Sequence, residues 1–448
     1  MAKKTSSAPR PRKPPAPRPS KPPRPKRPKP RNPKPRKPPR PKPRPVRALA
    51  FGWTGYADTP VPFSDFYAAD HTISAWVLFQ YPYAYEGPIL AVQGSGNYVI
   101  GQAEAWGPLG APESKLLIRV ERSQQTINVA LRNDRWYHLA AVRQANTLTV
   151  YLDGAAVASV AVGGRDVPDG TLRFGRAADG LLLNGHEAQF YGKVADVVIY
   201  RRALSPQDLS RVITQHRVGS GDPTVLASWR FVKDRFKAAL HGEAQAVARD
   251  RSWNGLADRL SMPLPRTAET RLPFAAGDSW YIPQGWARQG SYTHFGYAAF
   301  CWDFVVADYP ASDAYPAGTM GAPIYAPCSG DVIREYDEQP AAKAQPDNWV
   351  HVRAADGVVR TCQHLLPNSV RVTLGQHLTA GQAMAQVSLF PDNAHLHMAG
   401  SNNAGEAGDV GSVTVPLVMS DYEVRQPDGS WRRVARGIPE PGDVVRRM

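Results

Sequence analysis

Trp136-Tyr137-His138-Leu139-Ala140-Ala141-Val142, then Leu148-Thr149-Val150-Tyr151-Leu152, then Asp153-Gly154 and a further run from Ala155 to Val162 form the stretch that decides the fold of this chain. Each run is short, rich in β-branched and aromatic residues, and bounded by polar or glycine-containing breaks, which predicts strands. Asp-Gly between two such runs is a strong hairpin signal, because both residues tolerate a positive φ. Working outward, Thr72–Phe79, Leu116–Val120 and Val194–Tyr200 repeat the pattern. The one helical candidate is Ser205-Pro206-Gln207-Asp208-Leu209, with a capping Ser before a Pro at the first helical position. Many short strands with tight turns and little helix predict an antiparallel β-sandwich and a mainly β protein.

The amino-terminal end has a different texture. Of the chain's 54 Lys and Arg, 19 fall in residues 1–47 with no Asp or Glu, which leaves 35 basic against 39 acidic residues in the remainder. The net charge of +15 thus belongs to this tail, and the rest is nearly neutral. The same 47 residues hold 18 Pro. Such a segment has little apolar surface to bury, repels itself, and lacks backbone donors, so it is expected to be disordered and locally polyproline II. It is either a solvated spacer or a cationic arm for a polyanion. No apolar segment of signal-peptide length follows it, and no stretch long enough for a membrane span is visible. Cys301, Cys328 and Cys362 show no Cys-x-x-Cys spacing; one disulfide plus a free thiol, or three buried thiols, both fit.

Residues 48–235 resemble the LamG-like, concanavalin A-type jelly roll. The resemblance rests on Leu49-Ala50-Phe51, Thr72 to Val77, Trp136 to Ala140 followed by Val150-Tyr151-Leu152-Asp153-Gly154, Gly192 to Tyr200 and Arg202-Ala203-Leu204-Ser205, with a late strand at Ala227-Ser228-Trp229-Arg230-Phe231. These are core and turn residues. His138, Trp76 and Trp136 read as packing residues rather than ligands. The resemblance implies a glycan, protein or calcium ligand at the loops of the sandwich rim, and no paired carboxylates suggest hydrolysis there. The expected organisation is a tail at 1–47, a sandwich at 48–262 and a second β-rich domain at 263–448, with a turn at Asp250 to Gly255 and a linker at Met262 to Arg266.

In the second part, three histidine-bearing segments stand out: His294 to Phe304, Thr361-Cys362-Gln363-His364-Leu365, and His395-Leu396-His397. They hold four of the chain's 11 histidines. In a strand the side-chain period is two, so His395 and His397 project from one face and can serve a metal and the space beside it. Catalytic zinc takes three protein ligands and keeps a fourth position open, which two His and one Asp would satisfy.

Residues 272–416 are similar to the lysostaphin-like, LytM-type zinc metallopeptidases. Gly321 to Pro327 with Gly330-Asp331-Val332, Gln363-His364-Leu365, Gly375 to Gln382 and His395-Leu396-His397-Met398 follow that family's order. The resemblance implies that His294, Asp303 and His397 bind zinc and that His364 and His395 are catalytic. It also implies endopeptidase activity on the peptide part of peptidoglycan and a role at the cell envelope. Two departures stand out: the first ligand pair is His-x8-Asp rather than His-x3-Asp, and Ser388 to Ala394 replaces the usual glycine-rich turn before the closing motif. His351 and His377 match no family role and read as packing or surface residues. The alternative is a non-catalytic glycan- or protein-binding scaffold with a silent second domain; the five filled positions argue for activity. A nucleic-acid factor working through the tail finds no supporting motif in the remainder.

Overall fold

The computed structural model describes residues 47–248 and 267–448 except for 53–54, 82–86, 93–94, 109–112, 122, 133–134, 164–168, 178–181, 184–185, 188, 216–220, 230–239, 242–243, 287–292, 308–315, 339–347, 388–393 and 402–413. The basic tail up to Val46, the turn at 250–255 and the linker at 262–266 lie outside the described residues, as do Arg230 and Phe231 of the late strand and all of Ser388 to Ala394 except Ala394. Among the described residues the protein is mainly β, and no helix is long and apolar enough to cross a membrane.

Two sheets form the sandwich. The first runs, in spatial order, through Ala155–Ala161, Thr147–Leu152, Trp136–Gln144, His71–Phe79, Gly192–Tyr200, Arg47–Phe51 and Ala244–Ala248, with Val225–Trp229 added beside Gly192–Tyr200. The second runs through Leu240–His241, Tyr56–Pro62, Thr171–Phe174, Gly87–Val92, Ser95–Trp106, Glu113–Val120 and Ser123–Asn128. All their pairings are antiparallel. Every second residue of His71–Phe79 supplies the core: Ile73, Ala75, Val77 and Phe79 point between the sheets, where they meet Ile100, Leu116 and Ile118. Each fully buried side chain of this kind contributes roughly 1.5–3 kcal/mol.

The expected hairpin forms at Asp153-Gly154, with φ of 51° and 84°. The Asp153 carboxylate also accepts the His138 backbone N–H at 2.8 Å, which pins the turn to the neighbouring strand. The helix spans Pro206–Gln215, longer than its sequence signal. Ser205 Oγ accepts the Asp208 N–H at 3.1 Å, and Asp208 Oδ2 accepts the Ser205 N–H at 3.4 Å, a reciprocal capping box. Trp76 and Trp136 are buried as expected, but on the outer face of the first sheet, clustered with Ala48, Leu78 and Ala195 against Ile213 of that helix. His138 is fully buried and shares a 2.9 Å hydrogen bond with Ser74 Oγ.

The second half is one ten-stranded sheet with a small two-stranded partner, Pro323–Tyr325 with Ala383–Gln386. The large sheet runs His377–Leu378, Gly330–Tyr336, Trp349–Arg353, Val359–Gln363, Leu396–Ser401, Cys301–Val306, Ser279–Gln284, Val444–Arg447, Met419–Arg425 and Trp431–Gly437. The last three strands extend beyond the resemblance noted above. Their hairpin turns through Pro427-Asp428-Gly429, with Gly429 at φ 84°. Residues 45–448 form one compact unit, and sandwich residues Tyr81 and Tyr191 join the core of the second half.

Candidate metal and catalytic site

The four central strands of the large sheet carry the site in a single register row. Gln284 lies opposite Asp303, Asp303 opposite His397, and His397 opposite Gln363. Directly opposed residues in a sheet share a face, so the row places Asp303 beside His397 and brings Gln363, and hence the following His364, to the same part of the sheet. His395 sits two residues before His397 and therefore faces the same way.

All five residues singled out in the sequence come together. Asp303 Oδ1 lies 3.0 Å from His397 Nδ1, 3.3 Å from His294 Nε2 and 3.6 Å from His395 Nε2. The His364 ring stands 4.7 Å from His395 and 5.7 Å from His397, centroid to centroid. One ring nitrogen from each of His364, His395 and His397 lies within 4.8 Å of the other two. His351 and His377, given no role above, are elsewhere: His351 is buried and stacked on Trp349, and His377 is exposed and paired with Asp331 at 2.7 Å.

Supporting groups orient these side chains. His294 Nδ1–H donates to the Gly285 carbonyl at 3.0 Å, which fixes the tautomer and leaves Nε2 with its lone pair. That Nε2 is buried, makes no hydrogen bond, and faces Asp303 Oδ1. Asp303 Oδ2 accepts from Gln284 Nε2 at 3.2 Å, which leaves Oδ1 to the histidines. Gln284 also accepts the Thr293 N–H at 3.0 Å and so ties Asp303 to the residue before His294. His364 adopts a φ of 63°, an uncommon left-handed conformation. It is held by Asn348, whose carbonyl accepts the Leu365 N–H at 3.1 Å and whose Nδ2 donates to the Leu365 carbonyl at 3.2 Å.

The electrostatics suit a cation. Burial by itself raises the Asp303 carboxyl, but the imidazoles of His294, His395 and His397 gathered around it outweigh burial and hold the group well below the usual carboxylate range. Burial lowers the His397 imidazole against the pull of Asp303. A buried carboxylate with two imidazole nitrogens, one of them an orphan lone pair, is a donor set of the type zinc takes. Sequence reasoning missed the supports Gln284, Gly285 and Asn348, which carry no local signal. It also missed Cys301, whose Sγ lies within 4.8 Å of a nitrogen of both His294 and His397. Its spacing two residues before Asp303 on one strand was the available clue. Cys301, Cys328 and Cys362 are three buried free thiols.

A concavity lies on the outer face of the sandwich. This cleft of about 510 Å³ is lined by Gln144, Thr147, Thr149, Tyr151 and the turn at Ser205-Pro206 that enters the helix.

Residues 51–210 match the family model described as the concanavalin A-like lectin/glucanases superfamily, and this segment is a LamG-like jelly roll. The match does not extend to residues 267–448. No curated protein matches the chain. Among solved structures, a "putative carbohydrate binding protein" from Bacteroides ovatus is 14% identical with a TM-score of 0.34, and the similarity covers 47% of this chain and 62% of that one. The chain therefore spans about three-fifths of that protein. A heptameric SAP-like pentraxin from Limulus polyphemus is 16% identical with a TM-score of 0.25, covering 39% of this chain and 78% of that one. The SpoIIQ-SpoIIIAH pore forming complex is 15% identical with a TM-score of 0.23, covering 33% of this chain and 87% of that one.

Proposed function

We propose that this protein is a zinc-dependent endopeptidase of the lysostaphin/LytM-like kind, directed at the peptide part of peptidoglycan and equipped with a lectin-like jelly roll. The observation that carries the reading is the convergence of His294, Asp303, His364, His395 and His397 from three separate segments onto one point of the sheet. His294 through Nε2, Asp303 through Oδ1 and His397 through Nδ1 would hold the ion. When bound, zinc supplies Lewis acidity and lowers the pKa of water to roughly 7. His364 and His395 stand beside that ligand set with ring nitrogens in reach of a reacting group. One imidazole takes the proton of the attacking water and returns it to the leaving amine; the N–H of the other donates to the developing oxyanion. The substrate class rests on the resemblance. The test is metal analysis of the purified protein together with a peptidoglycan digest read by mass spectrometry. One zinc per chain and new amino termini that a chelator suppresses are expected; a metal-free protein that releases nothing overturns the reading.

A second reading, supported by the concanavalin A-like match and by the cleft at Tyr151, is a glycan-binding scaffold without hydrolysis. It predicts retention on immobilised peptidoglycan glycan with no cleavage product at any metal concentration.

A further inference from the structure

The jelly roll touches the metal site's supports at three points. Tyr81 and Tyr191, at the adjoining ends of strands His71–Phe79 and Gly192–Tyr200, pack their rings 5.0 Å apart. Tyr81 meets Trp286 at 5.4 Å and Phe300 at 5.5 Å, both edge-on, and Trp286 and Phe300 meet at 5.1 Å. Trp286 follows Gly285, whose carbonyl sets the His294 tautomer. Phe300 precedes the strand Cys301–Val306 that carries Asp303. The third contact is at the end of the strand Ser95–Trp106. Gly296, two residues past His294 and at φ 55°, lies so close that a Cβ there would stand 3.0 Å from the Ala105 carbonyl oxygen and 3.3 Å from Glu104 Oε1.

We infer that the jelly roll is a working part of the metal centre: through Tyr81 and the Glu104-Ala105 strand end it positions His294. The loop bearing His294 lies outside the register row that fixes Asp303 and His397. Its place is set instead by the Gly285 carbonyl, by the hydrogen bonds of Gln284 to Thr293 and by close packing of Gly296 on the sandwich. Tyr81 acts on the first, because it packs on Trp286 beside Gly285 and on Phe300, which itself packs on Trp286. Gly296 is required twice over, by its left-handed backbone and by the lack of room for a methyl group. The two halves are therefore not a catalytic domain with a tethered accessory but one unit whose ligand geometry crosses the boundary.

This inference rests on the zinc reading, and the experiment separates the two. Full-length wild type, Tyr81→Ala, Tyr81→Phe and Gly296→Ala are stripped of metal. Zinc affinity is then measured by competition with a chromogenic chelator, and ligand geometry by the visible absorption of the cobalt(II) form. Loss of a supporting contact to a metal ligand costs about 10- to 100-fold in affinity, so Tyr81→Ala and Gly296→Ala should each weaken zinc by that factor and alter the cobalt bands. Tyr81→Phe keeps the ring and should restore wild-type affinity and spectrum. Should Tyr81→Ala fail to fold, Gly296→Ala decides alone, since it removes no buried side chain. Wild-type affinity and an unchanged cobalt spectrum in the folded variants overturn the positioning role while leaving the zinc reading intact. A wild-type protein that binds no zinc overturns both.

Discussion

Gln284→Ala is the substitution that most sharply tests the site's construction. Gln284 Nε2 donates to Asp303 Oδ2 at 3.2 Å, while its Oε1 accepts the Thr293 N–H at 3.0 Å. One side chain therefore orients the carboxylate ligand and anchors the residue before His294. Hydrogen bonds to charged groups contribute about 1.5–3 kcal/mol, but 3.2 Å is at the long end for an N–H···O bond, which favours the lower half of that range. At 1.4 kcal/mol per tenfold, the contact to Asp303 corresponds to a loss of about 10- to 40-fold in zinc affinity. The Thr293 tether adds to this, so the whole effect should fall within the 10- to 100-fold typical of residues that support metal ligands. Gln284 is half-buried and belongs to no apolar cluster, so the metal-free fold should lose little stability. The assay is calorimetric titration of the metal-free protein with zinc, accompanied by thermal melts with and without metal. Linkage makes the melts informative: at fixed free zinc, a 30-fold weaker site loses about 2 kcal/mol of ligand-conferred stabilisation. Unchanged zinc affinity with an unchanged apo melt would refute the claim that Gln284 holds Asp303 in its ligating orientation.

Three further outcomes are expected. His294→Ala, Asp303→Ala and His397→Ala should each lose metal by elemental analysis, whereas His364→Ala and His395→Ala should retain it and lose turnover by a factor of roughly 10² to 10⁴. Tyr151→Ala, in the cleft beside Gln144 and Thr149, should weaken retention on peptidoglycan glycan by about tenfold or more without touching zinc content. Burial lowers His71 and His138 to about 4 from 6.5 in the folded sandwich, so both are neutral in the native state when the unfolded chain is already protonated. Their contribution to stability is complete above pH 6.5 and is lost as pH falls towards 4, by up to about 3 kcal/mol each, and His138→Gln should flatten that slope in melts recorded across the window.

Local chemistry made part of this structure readable in advance. Asp153-Gly154 announced its turn because few other pairs accept two positive φ values in succession. Ser205 before Pro206 announced a helix start, and the Ser205–Asp208 hydrogen bonds are the physical content of that signal. His395 and His397 were legible as same-face residues from the strand period alone. What stayed hidden is non-local. Trp76 and Trp136 gave no hint that they pack on the outer face of their sheet, since His71–Phe79 is buried on both sides and so shows no clean polar alternation. Gln284 and Asn348 support the site through pairings with partners 19 and 17 residues away, and nothing in their own neighbourhoods marks them. The hairpin around Pro427-Asp428-Gly429 is a different case: the same Asp-Gly signal was present and went unread.

The register row explains why the proposed ligand set divides into a stable part and a dependent part. Asp303 and His397 face one another because two central strands pair there, and a slip of one residue would turn both to the opposite side of the sheet. Their placement is as secure as the sheet itself, with strands on either flank. His294 and His364 are outside this row. Each reaches the site from a segment in which the chain departs from regular structure, His294 two residues before Gly296 at φ 55° and His364 itself at φ 63°. For a non-glycine residue such as His364, backbone in that region persists only where its surroundings enforce it. For His364 the enforcing contact is the reciprocal pair between Asn348 and Leu365, within the same sheet. For His294 it is the Gly285 carbonyl together with the aromatic contact of Trp286 to Tyr81. In the zinc reading, damage to the first should therefore silence proton transfer and spare the metal, while damage to the second should weaken metal binding. Loss of the jelly roll acts through the second route, which ties the two halves of the chain to a common chemical outcome.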